Sequence, residues 1–163
     1  MPHFKAAYNL ARYLHGNDED ASDLVQDACL KALRFYNGFR GDNPRAWLLT
    51  IVRNTFYTGL AMKRSKGIEC EFNESIHDTE SDGTNPETLV INNENIMMVR
   101  SELEKLPPEF RETIVLREME GFSYKEIAEI IKAPIGTVMS RLARGRKVLM
   151  NALKNKQIDR NDL

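Results

Sequence analysis

The feature that most constrains the fold is a pair of helical segments broken by a proline, FSYKEIAEIIKAPIGTVMSRLARGRKVL, at residues 122–149. Ser123 followed by Glu126 forms a capping-box pattern, which predicts the start of a helix. Pro134 ends that helix, because proline lacks the amide hydrogen and restricts the residue before it. Helical apolar spacing resumes at Ile135, so the segment predicts a helix–turn–helix.

The second of these helices has two chemically different sides. Its apolar residues fall on one stripe at about 100° per residue: Ile135, Val138, Leu142, Gly145 and Leu149. The opposite side carries Thr137, Ser140, Ala143, Arg144 and Lys147, with Arg141 and Arg146 on its flanks. Residues 134–156 include six Lys/Arg and no Asp or Glu. This pattern favours binding in a DNA major groove; an ordinary amphipathic helix with a solvated basic face is the alternative.

Composition restricts the remaining possibilities. The chain has 163 residues and a formal net charge of −1, but eight Asp/Glu and no Lys or Arg lie between Gly67 and Val99. Positive charge is therefore local, as a polyanion-binding protein requires. The two cysteines and three histidines lack metal-ligand spacing, and no nucleophile set or phosphate-binding glycine loop occurs. We expect no enzyme, no cofactor and no small-molecule substrate. Without a signal peptide or a membrane-spanning apolar run, we expect a cytoplasmic protein with no direct membrane insertion.

The rest of the chain also predicts helices. We expect them at residues 4–14, from 17 or 18 to about 36, from Pro44 to about 63, and again from Glu87. Residues 65–86 are acidic and rich in Ser, Thr, Asn and Gly, which is typical of a flexible linker. The predicted fold class is all-α, with two small helical domains joined by an acidic flexible linker, the C-terminal one containing the helix–turn–helix. Predicted inward-facing residues include Val25, Ala28, Ala32 and Phe35 in the second helix, and Ile96, Val99, Leu103 and Leu106 in the fourth.

Three segments in this order resemble the successive signatures of the ECF (extracytoplasmic-function) sigma factors, small promoter-recognition subunits of bacterial RNA polymerase. They are DASDLVQDACLKAL (20–33), FRGDNPRAWLLTIVRN (39–54) and LPPEFRETIVLREMEGFSYKEIAEIIKAPIGTVMSRLARGRKVL (106–149). The resemblance implies a sigma region 2 domain at 1–64, the linker at 65–86, a region 4 domain at 87–156 and a C-terminal tail at 157–163. It implies three partners: core RNA polymerase, through its beta-prime clamp helices and beta flap; promoter DNA; and an anti-sigma factor.

The resemblance also assigns roles in the first domain. Asp23, Gln26, Asp27 and Leu30 share one helical face; spacing alone favours an ordinary acidic, solvated face, whereas the resemblance implies docking on the clamp helices. For the −10 element it implies a pocket for an unstacked base, with cations near the strand's phosphates. The pocket candidates are Phe39, Arg40, Asp42 and Asn54, and the phosphate candidates are Arg53, Lys63 and Arg64. We expect the helix of this segment to carry Thr50, Arg53, Asn54 and Tyr57 on its outer face and Trp47 in the core; a plain loop followed by a capped helix is the structural alternative.

In the second domain the resemblance implies contacts to the −35 element. It places Met139, Ser140, Ala143 and Arg144 at positions that face bases or the groove, Arg141 and Arg146 near phosphates, and Thr137 and Lys147 beside them. Leu116 and Arg117 would contact the flap or be ordinary helix residues. Met139 stands where many members have Arg or Lys, and a thioether cannot make the bidentate guanine contact, so we expect an unusual −35 sequence.

Several expectations stay open at this point. The resemblance predicts a further helix before Pro2, and Thr58 replaces a frequent acidic residue. The linker acids, Glu69, Glu71, Glu74, Asp78, Glu80 and Asp82, would either line the RNA exit path or only solubilise a tether. A dimeric repressor or activator that uses the same helix–turn–helix is one rival. A protein that binds polymerase without initiating transcription is another.

Overall fold

The computed structural model describes residues 2–67 and 93–161, and these residues form only helices and connecting turns. The seven α-helices are α1 (Phe4–His15), α2 (Asp18–Phe35), α3 (Pro44–Ser65), α4 (Asn93–Glu104), α5 (Pro108–Ile114), α6 (Tyr124–Ile131) and α7 (Ile135–Asn161). A 3-10 turn, Tyr36–Gly38, follows α2, and a π-helical turn, Val115–Met119, follows α5. The all-α prediction is confirmed. The six linker acids lie outside the described residues.

Side-chain caps fix several helix starts. The Asn17 side chain accepts a hydrogen bond from the Asp20 amide at the start of α2, and Asn43 accepts one from the Ala46 amide at the start of α3. Such caps satisfy amides that have no partner within the helix. Pro44 occupies the first turn of α3, as predicted, because a missing amide hydrogen costs nothing there.

The N-terminal half is a three-helix bundle of α1, α2 and α3, which pack against one another in every pair. The predicted inward positions Val25, Ala28 and Ala32 are buried. The prediction for Phe35 was wrong, because this side chain is 64% exposed. Phe35 is the last residue of α2 and its backbone already departs from helical angles (φ −99°, ψ 2°), so the helical period no longer determines its direction.

The C-terminal half is organised around α7, which packs on α4, α5 and α6. Gly145 lies where α7 approaches α5 most tightly: a Cβ at this position would stand 2.9 Å from Ile114 Cδ1 and 3.3 Å from Phe110 Cβ. Glycine therefore permits this close packing. In α4, Leu103 is buried as predicted, whereas Ile96 in the first turns of the helix is half exposed. Helix α7 continues to Asn161, past the tail boundary drawn at residue 156.

The two halves pack against each other, with α1 contacting α4 and α5, and α3 contacting α6. Arg111 of α5 is buried at this contact and donates hydrogen bonds to the carbonyls of Tyr13 (2.6 Å) and Leu14 (2.9 Å) at the end of α1. Its other terminal nitrogen donates to the Leu106 carbonyl at 2.6 Å. A helix C-terminus leaves such carbonyls unpaired, so one guanidinium from the C-terminal half completes a helix of the N-terminal half.

Candidate nucleic-acid and polymerase interfaces

The helix–turn–helix is built by α6, a short turn and α7. Ser123 accepts a hydrogen bond from the Glu126 amide while the Glu126 carboxylate accepts one from the Ser123 amide, so the predicted capping box is formed. Lys132 ends α6 in the left-handed conformation, with φ 53°, and the chain then enters α7 after Pro134. This turn sets α7 against α6, and Ile127 of α6 and Val138 of α7 are both buried.

The outer side of α7 is available to a ligand. Met139 is 53% exposed, and Ser140, Ala143 and Arg144 are exposed beside it. Val138 and Leu142, on the opposite side, are buried. The groove-facing candidates are therefore uncovered by the N-terminal half, as predicted. The prediction for Ile135 was wrong: the sequence placed it on the apolar stripe, but it is the first residue of α7 and is 45% exposed.

The cations on the flanks of α7 are partly engaged by carboxylates. Arg146 pairs with Glu118 of the π-helical turn, its Nε donating to Oε1 at 3.0 Å, and Arg141 Nη1 lies 4.0 Å from Glu112 Oε1. Thr137 and Lys147 are half-buried, and the Thr137 carbonyl accepts a hydrogen bond from the Ser140 hydroxyl. A phosphate at Arg146 would have to replace Glu118.

The loop between α2 and α3 is shaped by aromatic packing. The rings of Phe39 and Trp47 lie 4.7 Å apart at 32°, and both side chains are partly buried. A Cβ on Gly41 would stand 3.0 Å from the Phe39 ring, so glycine lets the loop fold closely over that ring without displacing it. Arg40 and Asp42 remain exposed on the same loop.

Helix α3 carries the other −10 candidates, and the structure places them in different surroundings. Lys63 and Arg64 are exposed in its last turn, and Asn54 is half-buried. Arg53 is turned toward the C-terminal half, where its Nε donates to Glu112 Oε2 at 2.9 Å and its guanidinium lies 4.6 Å from the Tyr57 ring centre. The prediction that Arg53 and Tyr57 face outward was wrong, because the C-terminal half covers this part of α3.

Among the acids at the contact between the two halves, Glu112 has the pKa that is shifted furthest from its ordinary value. Its side chain is 1% exposed, with Arg53 and Arg141 on the two sides of its carboxylate. Burial raises the pKa of Glu112 to about 7, and the attraction of Arg53, its hydrogen bond and Arg141 offset only part of this rise. Burial and the nearby Glu112 carboxylate also raise the pKa of Tyr57, whose hydroxyl is buried without a hydrogen-bond partner. Sequence reasoning missed Glu112; the signal that could have found it is an acidic residue at an inward helical position.

The predicted docking face is exposed on α2. Asp23, Gln26 and Asp27 are exposed, and Leu30 is 58% exposed. Neither aspartate forms a hydrogen bond or ion pair with any residue that the structure describes. The two unpaired carboxylates suit a basic partner, and the exposed leucine beside them can make an apolar contact with the same partner.

Leu116 and Arg117, the candidates for contact with the beta flap, make structural contacts within the C-terminal half. Leu116 is fully buried. Arg117 donates to the Phe122 carbonyl at 2.9 Å, and its guanidinium lies 4.6 Å from the Tyr124 ring centre. Of the two alternatives, the structure favours ordinary helix residues for both. In the part of the chain that the structure describes, no helix combines the length and the apolarity needed to cross a bilayer.

An N-terminal bundle with an exposed acidic face, followed by a helix–turn–helix with an open basic side, defines a DNA-binding transcription protein of two helical regions. Family models agree region by region: "Sigma-70 region 2" matches residues 1–66, and "Sigma-70, region 4" matches residues 96–149. The chain belongs to the ECF sigma factors, the alternative sigma factors that direct promoter-specific transcription.

Relatives and solved structures support this membership along nearly the whole chain. The chain is 36% identical to the ECF RNA polymerase sigma-E factor of Escherichia coli K12, over 92% of this chain and 81% of that protein. It is 33% identical to the RNA polymerase sigma-H factor of Pseudomonas aeruginosa, over 89% and 78%. The sigma factor RpoE of Bartonella quintana, solved in complex with the anti-sigma factor NepR, superposes with a TM-score of 0.72 at 32% identity, covering 93% of this chain and 92% of that chain.

Proposed function

We propose that this sigma factor binds core RNA polymerase through α2 and presents two DNA-reading surfaces to one promoter. The observation that carries the proposal is that the exposed docking face and the exposed side of α7 lie on separate halves of one chain. A sigma region 2 domain at residues 1–64 and a region 4 domain at 87–156 would then act at two promoter elements, joined through the linker at 65–86. A repressor would not need the first of these surfaces.

At the −35 element, α7 would lie in the major groove of duplex DNA. Met139, Ser140, Ala143 and Arg144 would face base edges, and the flanking Arg141 and Arg146 would meet phosphates. Arg144 is exposed and can form the bidentate contact to guanine. The two flanking arginines would exchange a carboxylate for a phosphate on binding, so part of their attraction to DNA is offset by the lost ion pairs.

At the −10 element, the loop and α3 would hold the opened non-template strand. Phe39, Arg40, Asp42 and Asn54 would form the pocket, and Lys63 and Arg64 are exposed for phosphate contacts. Unstacking a base costs a few kcal/mol, which pocket and phosphate contacts would offset. Arg53 would join them only after leaving Glu112.

The polymerase would supply the nucleotide chemistry, and this subunit would need no cofactor and act in the cytoplasm, where the polymerase is. The solved relative in complex with an anti-sigma factor supports a protein partner of that kind here. An anti-sigma factor that covers the acidic face of α2 would compete directly with core polymerase for Asp23 and Asp27.

The proposal is tested by run-off transcription with core polymerase and fragmented genomic DNA, with and without this protein. Discrete new transcripts that share two spaced upstream motifs are expected. The matched variants are Asp23→Ala with Asp27→Ala, which should weaken core binding, and Glu19→Ala, which removes another exposed α2 carboxylate and should not. Core binding without transcripts would favour the non-initiating interaction protein, and loss of both would favour the repressor.

A further inference from the structure

The open side of α7 contains an apolar ridge that the phosphate and hydrogen-bond contacts do not use. Ile135, Met139 and Ala143 are spaced four residues apart, so they form one continuous row on a helix. Ile135 is 45% exposed and Met139 53% exposed, and Ala143 is exposed beside them. Single exposed apolar residues are ordinary, but here two large side chains and a methyl group stand in line on a helix flanked by cations.

The same side of α7 has little capacity for hydrogen bonds to bases. Ser140 already donates its hydroxyl to the Thr137 carbonyl. Of the exposed residues between 135 and 145, only Arg144 carries a long donor side chain. This surface can therefore make a bidentate contact to one guanine through Arg144. Beside Arg144 it presents methyl and thioether groups instead.

Resting on the proposed function, we propose that Met139, supported by Ile135 and Ala143, reads thymine methyl groups in the −35 duplex. In the major groove thymine presents its C5-methyl group as the apolar feature of the base pairs, and apolar side chains are its partners. The flanking cations supply the complementary charge that would bring a duplex to this ridge. The element should accordingly contain thymines adjacent to the guanine that Arg144 contacts.

The first test is selection of upstream sequences from a randomised library with the polymerase holoenzyme. Each thymine of the selected element is then replaced by deoxyuridine, which removes only the methyl group. At one or two thymines next to the guanine that Arg144 contacts, each replacement should weaken holoenzyme binding by about fourfold. This is the loss expected when one buried methyl group is removed. A selected element in which no deoxyuridine changes binding would overturn the inference while leaving the sigma factor function intact.

Variants assign the effect to the ridge. Met139→Ala should abolish most of the deoxyuridine sensitivity, whereas Met97→Ala, an equally conservative change at an exposed methionine of α4, should retain it. Met139→Arg should shift the selected base at that position toward guanine. An unchanged preference in Met139→Arg would overturn the inference, and failure to select any upstream element would overturn the proposed function and the inference together.

Discussion

Glu112 offers the sharpest test of how the two halves are held together. Its carboxylate is buried between Arg53 of α3 and Arg141 of α7, at the contact between the two halves. Glu112→Gln keeps the size and shape of the side chain and removes its charge. The informative quantity is the pH dependence of stability, because an amide does not titrate.

The sign and size follow from burial. The pKa of Glu112 rises from 4.5 to about 7 in the folded chain, so the folded state binds this proton more tightly than the unfolded state does. Its contribution to stability is therefore complete below about pH 4.5 and is lost as the pH rises through about 7. At about 1.4 kcal/mol per pH unit, the loss amounts to about 2–3 kcal/mol between pH 5 and pH 8.

Urea unfolding of the wild type and of Glu112→Gln across this pH range measures the effect. The free energy of unfolding of the wild type should fall relative to that of the variant by about 2–3 kcal/mol between pH 5 and pH 8, whatever constant offset the amide introduces. Glu129→Gln, which removes an exposed carboxylate from α6, controls for the loss of one charge. A wild-type-minus-variant difference that stays constant with pH would refute the reasoning.

Three further predictions concern packing, capping and DNA recognition. Gly145→Ala should lower the free energy of unfolding by about 1–2 kcal/mol, because the added Cβ would crowd Ile114. Gly59→Ala should raise it by about 0.5–1 kcal/mol, because a Cβ there would have nothing within 4 Å and alanine favours the helix. Equal urea midpoints for the two variants would contradict this. Ser123→Ala should cost about 1 kcal/mol by thermal unfolding, since it removes the N-cap of α6, and a wild-type melting temperature would count against that capping role. Arg144→Ala should weaken promoter binding by about 1–3 kcal/mol and relax discrimination at one base, while an equal loss on random DNA would make it a phosphate contact.

The helices and their ends could be predicted because their causes are local. The capping box at Ser123 and the proline at the start of α3 act within one helical turn, so the sequence contains the whole interaction. The exposed side of α7 follows in the same way from a period of 3.6 residues. Phe35 was wrongly predicted because the period ends where α2 gives way to the 3-10 turn.

The contact between the halves could not be predicted, because its partners are distant in sequence. Arg53 and Glu112 are separated by 59 residues, and Arg111 meets Tyr13 across 98. Both arginines have helical spacings that are equally compatible with solvent, DNA or protein. The resemblance to sigma factors suggested DNA for Arg53, but only the packing of α3 reveals that a carboxylate of the same chain already occupies it.

If the opened promoter strand contacts Arg53 as proposed, its phosphate must displace Glu112 of the same chain. One guanidinium edge cannot hold the carboxylate and a phosphate at once, and the Glu112 carboxylate already lies 2.9 Å from Arg53 Nε. The apparent affinity of a strand that binds Arg53 is therefore its intrinsic affinity multiplied by the fraction of molecules in which Arg53 is free of Glu112. By the same reciprocity, a strand bound at Arg53 would loosen the contact between the halves, and Glu112, which also lies 4.0 Å from Arg141 of α7, would link the two DNA-reading surfaces.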